Sequence, residues 1–347
     1  MQIGIHSFVE VDLASPLAPG ALGQQRVREL MEEIELADRV GLHSFGIGEH
    51  HRAEYIASAP AVLLAAAAAR TQQIRLTSSV TVLSSDDPVR VFQDFATLDL
   101  LSNGRAEIIV GRGSFIESYP LFGYDTALYD ELFSEKLDLL LHLREETFIH
   151  WKGEHRPSLT GQGVWPRPLQ ARLPIRLGVG GTPASFVRAG MLGLPLTVAI
   201  IGGEPHRFRP LVDAYREAAR RSGHDLSTLD VEVHAIGFVA DTDQQAADTL
   251  WPAYNTTFSR IGRERGWGPT SRAQFDAQCG TTGAFFVGSP GTVAAKMQRV
   301  NESLGGVARV SLMMSGGVLP HAAMLRCIDL LGTQVAPATE LTAAASR

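Results

Sequence analysis

The sequence predicts an α/β protein: a closed (β/α)8 TIM barrel formed by a single domain spanning residues 1–347. Three observations lead there. Runs of strand length recur eight times, and each is followed by a stretch whose apolar residues repeat at helical spacing. Composition does not shift along the chain and no internal repeat is found, so nothing marks a second domain. No GxGxxG follows the first strand, as an open doubly wound sheet built for a dinucleotide would show.

Residues 2–8 are the first strand, and after a Pro- and Gly-rich loop Val27, Leu30, Met31, Ile34 and Ala37 mark one helix face that Gly41 ends. The second strand opens the stretch Ser44-Phe45-Gly46-Ile47-Gly48-Glu49-His50-His51-Arg52, which finishes in four ionisable side chains. Ser58 as cap and Pro60 in the first turn start an alanine-rich helix reaching about Arg70. Residues 74–83 are the third strand, whose segment Thr77-Ser78-Ser79-Val80-Thr81 is polar for a buried stave. Asp87-Pro88 caps the next helix, with Val91, Phe92, Phe95 and Leu98 on one side and Ser102-Asn103-Gly104 at its end. The fourth strand, 106–110, runs into Gly111-Arg112-Gly113-Ser114.

A helix carrying Phe133, Leu137, Leu140 and Leu141 precedes a first insertion at 146–173, whose turn signals suit a small hairpin. Strand five, 174–179, leads through Gly180-Gly181-Thr182-Pro183 into a short helix ending near Gly193. Strand six is 196–201, and its helix gathers Phe208, Leu211, Val212, Tyr215 and Ala219 before Gly223. After strand seven, 231–239, Asp241-Thr242 begins a helix and residues 251–288 form a second insertion with Trp251 and Trp267. Ser289-Pro290 caps a helix through Val293, Met297, Val300 and Leu304. Strand eight is 309–314, the last helix carries Met324, Leu325, Ile328 and Leu331, and residues 336–347 read as a disordered tail.

Bulk composition narrows the function. The net charge is −6, from 31 basic and 37 acidic residues with no basic block, which argues against nucleic acid and anionic membranes as partners. Cys279 and Cys327 stand far apart in no metal-binding spacing, as in a reducing compartment. The longest apolar run, 59–69, is too short to cross a bilayer and no signal-peptide pattern opens the chain, so a cytoplasmic protein is expected.

Barrels of parallel strands keep their chemistry at the C-terminal mouth, which makes the strand ends informative. Gly180, Gly181 and a capping Thr182 lie at a helix start, with Ser185 adding a second hydroxyl; this suits a phosphate, although an ordinary capped helix reads the same way. Arg112 stands between two glycines, either to meet a ligand or to pair with a carboxylate. Together the two ends favour a phosphate. For Glu49-His50-His51 three readings stay open: metal ligands, a rim salt-bridge cluster, or a histidine moving protons near neutral pH. Adjacent strand side chains face opposite ways, so one histidine does the work unless the strand has become a loop, and we favour His50. Met313 and Met314 read as core, with Met314 at the mouth also placed to touch a cofactor.

With these residues in view, the chain resembles the bacterial luciferase-like flavin monooxygenases. Glu49-His50-His51, Val82-Leu83-Ser84-Ser85-Asp86-Asp87-Pro88-Val89-Arg90, Leu101-Ser102-Asn103-Gly104-Arg105 and Gly111-Arg112-Gly113 stand in that family's order and spacing. Gly180-Gly181-Thr182-Pro183 and Ser289-Pro290-Gly291-Thr292-Val293 carry the match over nearly the whole chain. The resemblance implies a barrel enzyme that oxidises a small organic substrate with O2 via a reduced-flavin peroxide. It also implies FMN as cofactor, reduced by a separate NAD(P)H:flavin reductase, and a homodimer or higher homo-oligomer. Residue by residue, it implies His50 as the catalytic histidine, Arg112 near the flavin phosphate, and Gly181, Thr182 and Ser185 in the phosphate loop. Ser79-Val80 falls at the family's non-prolyl cis peptide beside the isoalloxazine. Luciferase's own cysteine is Gly111 here, so light emission is not expected, and 251–288 falls at the family's mobile loop without a substrate signature. The alternatives are a hydride-transfer reductase using flavin or deazaflavin, a metal-dependent barrel hydrolase using the histidine pair, and a flavin-binding protein without turnover.

Overall fold

Eight parallel strands close into a ring in the computed structural model, which describes residues 1–315 and 317–339. They are β1 (Gln2–Ser7), β2 (Ser44–Ile47), β3 (Arg75–Ser78), β4 (Ala106–Gly111), β5 (Ile175–Val179), β6 (Leu196–Ala199), β7 (Val231–Val239) and β8 (Arg309–Met313). Each pairs with its successor, and β8 returns to β1 with Gln2 opposite Arg309. Around the ring run α1 (Pro19–Arg39), α2 (Pro60–Ala68), α3 (Pro88–Leu101), α4 (Tyr129–Glu145), α5 (Pro183–Met191), α6 (Arg209–Arg221), α7 (Asp243–Arg265), α8 (Arg272–Cys279), α9 (Pro290–Leu304) and α10 (His321–Leu330). The expected (β/α)8 barrel is what forms.

Helix starts follow local chemistry. Proline opens five of these helices and is the second residue of α6, in the first turn where its missing N–H would have had no partner anyway. Asp87 Oδ1 accepts the amides of Val89 (2.8 Å) and Arg90 (3.3 Å), and Thr242 accepts that of Gln245 (3.1 Å). Three expected caps differ. Ala59, not Ser58, precedes α2, and the hydroxyls of Thr182 and Ser289 bond no helix amide. At α9 the carboxylate of Asp243 takes over, accepting Ser289 N (2.6 Å) and Thr292 Oγ1 (3.0 Å).

The barrel interior is unusually polar toward its N-terminal end. Arg309 donates to Glu107 (2.6 Å) and Glu232 (2.8 Å), Ser311 donates to Glu232 (2.6 Å), and His234 Nε2 lies 3.0 Å from the same carboxylate, all of them buried. Burial pushes the Glu232 carboxyl up, but Arg309, His234 and Arg176 outweigh it and hold it well below the usual carboxylate range. Charges survive there because each is paired. The His6 ring stacks on His234 with centroids 4.3 Å apart, and burial keeps it neutral. This paired plug is the floor of the mouth.

Two excursions interrupt the ring. The first contains an antiparallel hairpin of Phe148–Trp151 and Leu159–Gly163. The second was expected to begin at residue 251, but α7 passes unbroken through Trp251 and Pro252 to Arg265, and left-handed Gly266 (φ 69°) closes it. Ala246, Leu250, Ala253 and Thr257 keep one buried face across the proline. A short strand, Phe286–Gly288, then extends the sheet beside the end of β7. After α10 the chain stays helical to residue 339, with Val335 and Thr339 buried, while residues 340–347 of the expected tail lie outside the described residues. Among the described residues no helix is long and apolar enough to cross a membrane.

Candidate active site at the barrel mouth

The stretch after β2 leaves the sheet at Gly48, where a Cβ would fall 2.3 Å from the Phe8 ring and 2.7 Å from the Ser79 carbonyl oxygen. Residues 48–52 are therefore a loop, and the two histidines part. Glu49 is buried; its Oε2 accepts the Val82 amide (2.9 Å) and its Oε1 lies 2.9 Å from His51 Nε2. That pair ties the loop to the segment after β3, and the His51 ring meets Phe122 edge-on at 5.2 Å. His50 turns the other way, into Phe8 (4.4 Å between centroids), Tyr55 (4.5 Å) and Phe115 (5.0 Å). Its Nε2 is buried without a partner, and burial, helped by His51 and Arg52, lowers its pKa to about 3. The ring is neutral at physiological pH. A histidine titrating near neutrality, one of the sequence readings, is thus replaced by a neutral imidazole with a free ring nitrogen.

The expected third strand, 74–83, is broken. Ser79–Val80 is a non-prolyl cis peptide, after which Thr81–Val82 pairs with β4 and Leu83–Ser85 makes a 3-10 turn. Ser79 N donates to Ile47 O (2.8 Å) and its Oγ lies 3.4 Å from His234 Nδ1 in the barrel floor. Three glycines on neighbouring strands make room. A Cβ at Gly46 would lie 2.9 Å from Ser79 Cβ, one at Gly111 2.7 Å from Val80 Cγ2, and one at Gly178 3.0 Å from Val80 Cγ1. The polar composition of 77–81 was the sequence sign of this break.

Across the mouth, Arg112 at the end of β4 reaches the start of α5. Its Nη2 donates to Ser185 Oγ (3.3 Å), Nη1 pairs with Asp130, and the guanidinium lies over Tyr129 at 4.8 Å. Gly180, Gly181 and Thr182 are exposed, and a Cβ at either glycine would meet nothing within 4 Å. The helix start is therefore open beside a guanidinium and a hydroxyl, the donor set a phosphate needs. Met314 is buried in the apolar core, its amide donating to His6 O (3.1 Å).

Two functional candidates escaped the sequence reading. Glu10, after left-handed Val9 (φ 58°), is buried with Oε1 unpartnered, and burial pushes its carboxyl up to about 7 against the pull of Ser315, Arg26 and Arg260. A lone acid among Phe8, Val9 and Val11 was the available signal. Arg52 is a hub, bonding Glu54 (2.9 Å), Glu117 (2.9 Å) and Glu264 (2.6 Å), so it joins the loops after β2 and β4 to α7. Arg260 to Glu54 (3.1 Å) and Arg265 to Ser114 O (2.7 Å) complete that docking. Among the described residues no three His, Cys, Asp or Glu side chains are placed to share a metal ion. A cavity of about 370 Å³ lined by Gln2, Arg75, Arg176 and Arg309 lies at the opposite, N-terminal end of the barrel, away from these groups.

Residues 1–307 match the family described as luciferase-like monooxygenase. An uncharacterized protein, y4wF of Sinorhizobium fredii, is 32% identical over 56% of this chain; the match spans 57% of that relative, just over half its length. The 4-hydroxyprotoasukamycin monooxygenase of Streptomyces nodosus subsp. asukaensis is 28% identical over 93% of this chain and 90% of its own. The crystal structure of monooxygenase RslO1 from Streptomyces bottropensis superposes with a TM-score of 0.84 at 23% identity, covering 97% of this chain and 99% of that one. The oxygenating constituent of 3,6-diketocamphane monooxygenase from Pseudomonas putida, in complex with FMN, gives 0.76 at 19%, over 97% and 98%. At those identities the structural likeness shows the fold.

Proposed function

The chain belongs to the luciferase-like monooxygenase family, and on that premise we propose that it is an FMN-dependent monooxygenase acting on a small organic substrate, its flavin reduced by a separate NAD(P)H:flavin reductase. The observation that carries the reading is the juxtaposition, in one mouth, of the Arg112–Ser185 contact at an open helix start, the Ser79–Val80 segment cleared by three glycines, and a neutral His50 whose Nε2 has no partner. These residues fit a flavin mononucleotide: Arg112, Ser185 and the exposed backbone of 180–182 suit its phosphate, and Ser79 and Val80, cleared by three glycines, offer a flat wall. Reduced flavin, when bound, supplies the electrons with which O2 is activated.

The protein's own part is positioning and exclusion. Arg112 and Ser185 anchor the phosphate and so set the register of the rest of the molecule. Ser79 is held from below by His234, itself held by Glu232, so the wall does not shift with its occupant. His50 Nε2, walled by Phe8, Tyr55 and Phe115, exchanges a hydrogen bond with the reacting substrate without changing charge. Helix α7, pinned through Arg52, covers this wall and keeps water out.

The test is isotope incorporation. Protein, FMN, an NAD(P)H:flavin reductase and 18O2 are combined with candidate substrates; one labelled oxygen in product is expected, and His50→Ala lowers its yield. Product that is reduced, or that forms without O2 uptake, replaces this reading with the hydride-transfer reductase, and repetition with a deazaflavin then identifies the carrier.

A further inference from the structure

Tyr55, whose ring touches His50, has as its bridge partner a residue with an unmet hydrogen bond. Glu10 is buried, and its Oε1 has no partner. It is fixed in place: Val11 N donates to Glu54 O (3.0 Å) and Ile56 N to Val9 O (3.0 Å), which ties the Glu10 backbone alongside Tyr55, whose ring touches His50. An orphaned buried acceptor is destabilising, so an acceptor kept there in a rigid loop points to a ligand that satisfies it.

Ser315, Arg26 and Arg260 act on the carboxyl itself, while the Tyr55 side of it opens onto an apolar wall. Phe8, Tyr55 and Phe115 form the wall, with Phe8 and Phe115 only half-buried. The loops leaving four of the strand ends expose Leu13, Ile116, Phe122, Ile201 and Val318, and the link after α7 exposes Trp267 beside Arg265. Singly such residues mean little, but gathered on the loops of one barrel face they mark an apolar entry. The cations nearby are mostly spent: Arg52 is bonded to three carboxylates, Arg260 to Glu54, and Arg26 to Glu33. Arg265 donates to Ser114 O and lies over Phe115 and Trp267.

We propose that Glu10 is a substrate-recognition residue, and that the substrate is an uncharged aromatic or similarly flat apolar molecule bearing a hydroxyl or N–H group that Glu10 Oε1 accepts. The inference rests on the monooxygenase reading for the word substrate, but the binding it asserts does not require flavin. The carboxyl titrates near 7 because burial raises it, while Ser315, Arg26 and Arg260 pull the other way and Tyr55 is the remaining titratable neighbour. Above that pH it is an acceptor only.

The test uses the flavin-free full chain at about pH 8.5, titrated calorimetrically with 2-naphthol, naphthalene and 2-naphthoate. A hydrogen bond to a carboxylate predicts that naphthol binds about tenfold tighter than naphthalene. Naphthoate is expected to be the weakest of the three. Glu10→Ala abolishes the naphthol preference, and Glu10→Gln, isosteric and able to accept through its amide oxygen, keeps part of it; circular dichroism confirms that both are folded. The proposal is overturned if naphthol and naphthalene bind equally, if the preference persists in Glu10→Ala, if naphthoate binds best, or if none of the three binds. Reduced FMN binding is measured separately on the same samples. Its absence beside an intact naphthol preference counts against the flavin reading and leaves Glu10 standing.

Discussion

Substituting Gly111 by alanine places a Cβ 2.7 Å from Val80 Cγ2, closer than real Cβ atoms approach, and 3.2 Å from Val80 Cβ, which is tight. Val80 yields little, because its branched side chain is stiff at χ1. Overpacking of this kind costs about 1–3 kcal/mol. For a chain of 347 residues the unfolding entropy translates this into a drop in Tm of roughly 1.5–4 °C. The mechanism, not only the sign, is testable in a double-mutant cycle by urea denaturation. Val80→Ala removes the methyls that Gly111→Ala would strike, so in that background the second substitution is expected to cost less than about 0.5 kcal/mol, a coupling near 1 kcal/mol or more. Gly180→Ala, with nothing within 4 Å of its Cβ, is the control and leaves stability unchanged or slightly raised. Equal costs for Gly111→Ala with and without Val80 would show that the clash is not the cause.

Other consequences follow from the same wall. Folded His50 binds its proton at about pH 3 and the unfolded chain at about 6.5, so between those values the unfolded state holds more protons and stability rises with pH. Between pH 7 and pH 5 the His50 contribution alone is a loss of about 2 kcal/mol, while Glu10, raised to about 7, contributes with the opposite sign over the same range; the difference between wild type and His50→Asn isolates the His50 part, and identical pH profiles for the two would place the proton elsewhere. Arg52→Ala frees Glu264 and Glu117, so protease cleavage within 251–288 is expected to accelerate several-fold, and reduced FMN to slow it in the wild type. Identical cleavage in all conditions would remove α7 as a cover. Arg309→Met leaves Glu107 and Glu232 buried without their guanidinium and should cost about 3–5 kcal/mol in denaturant; a loss under 1 kcal/mol would mean water already shares that network.

The barrel was readable because its signals are local. Period-two and period-3.6 patterns need only a short window, and Asp87 and Thr242 cap their helices through amides two or three residues away. Where a feature depends on partners far along the chain, the sequence offers residue types without contacts. Glu49 could be singled out as ionisable, but its bond to Val82 N spans 33 residues and needs the break at Ser79–Val80. His50 is singled out by the sequence but read as titrating near neutrality, because Phe8, Tyr55 and Phe115, from three different loops, enclose it only in the fold. Glu107, Glu232 and Arg309 stand out as lone charges in apolar strands, yet only the register shows that they face one another. The boundary read at residue 251 falls inside α7, whose buried face continues across Pro252 through Ala253 and Thr257.

Arg112 and the start of α5 are proposed to hold a flavin at the mouth by its phosphate. Anaerobic titration of the wild type and Arg112→Ala with reduced FMN and reduced riboflavin, which differ only by that phosphate, tests this proposal most directly. Charge-assisted hydrogen bonds predict at least a tenfold preference for reduced FMN in the wild type and its near loss in Arg112→Ala. Equal affinities in the wild type, or a preference that survives the substitution, would contradict it.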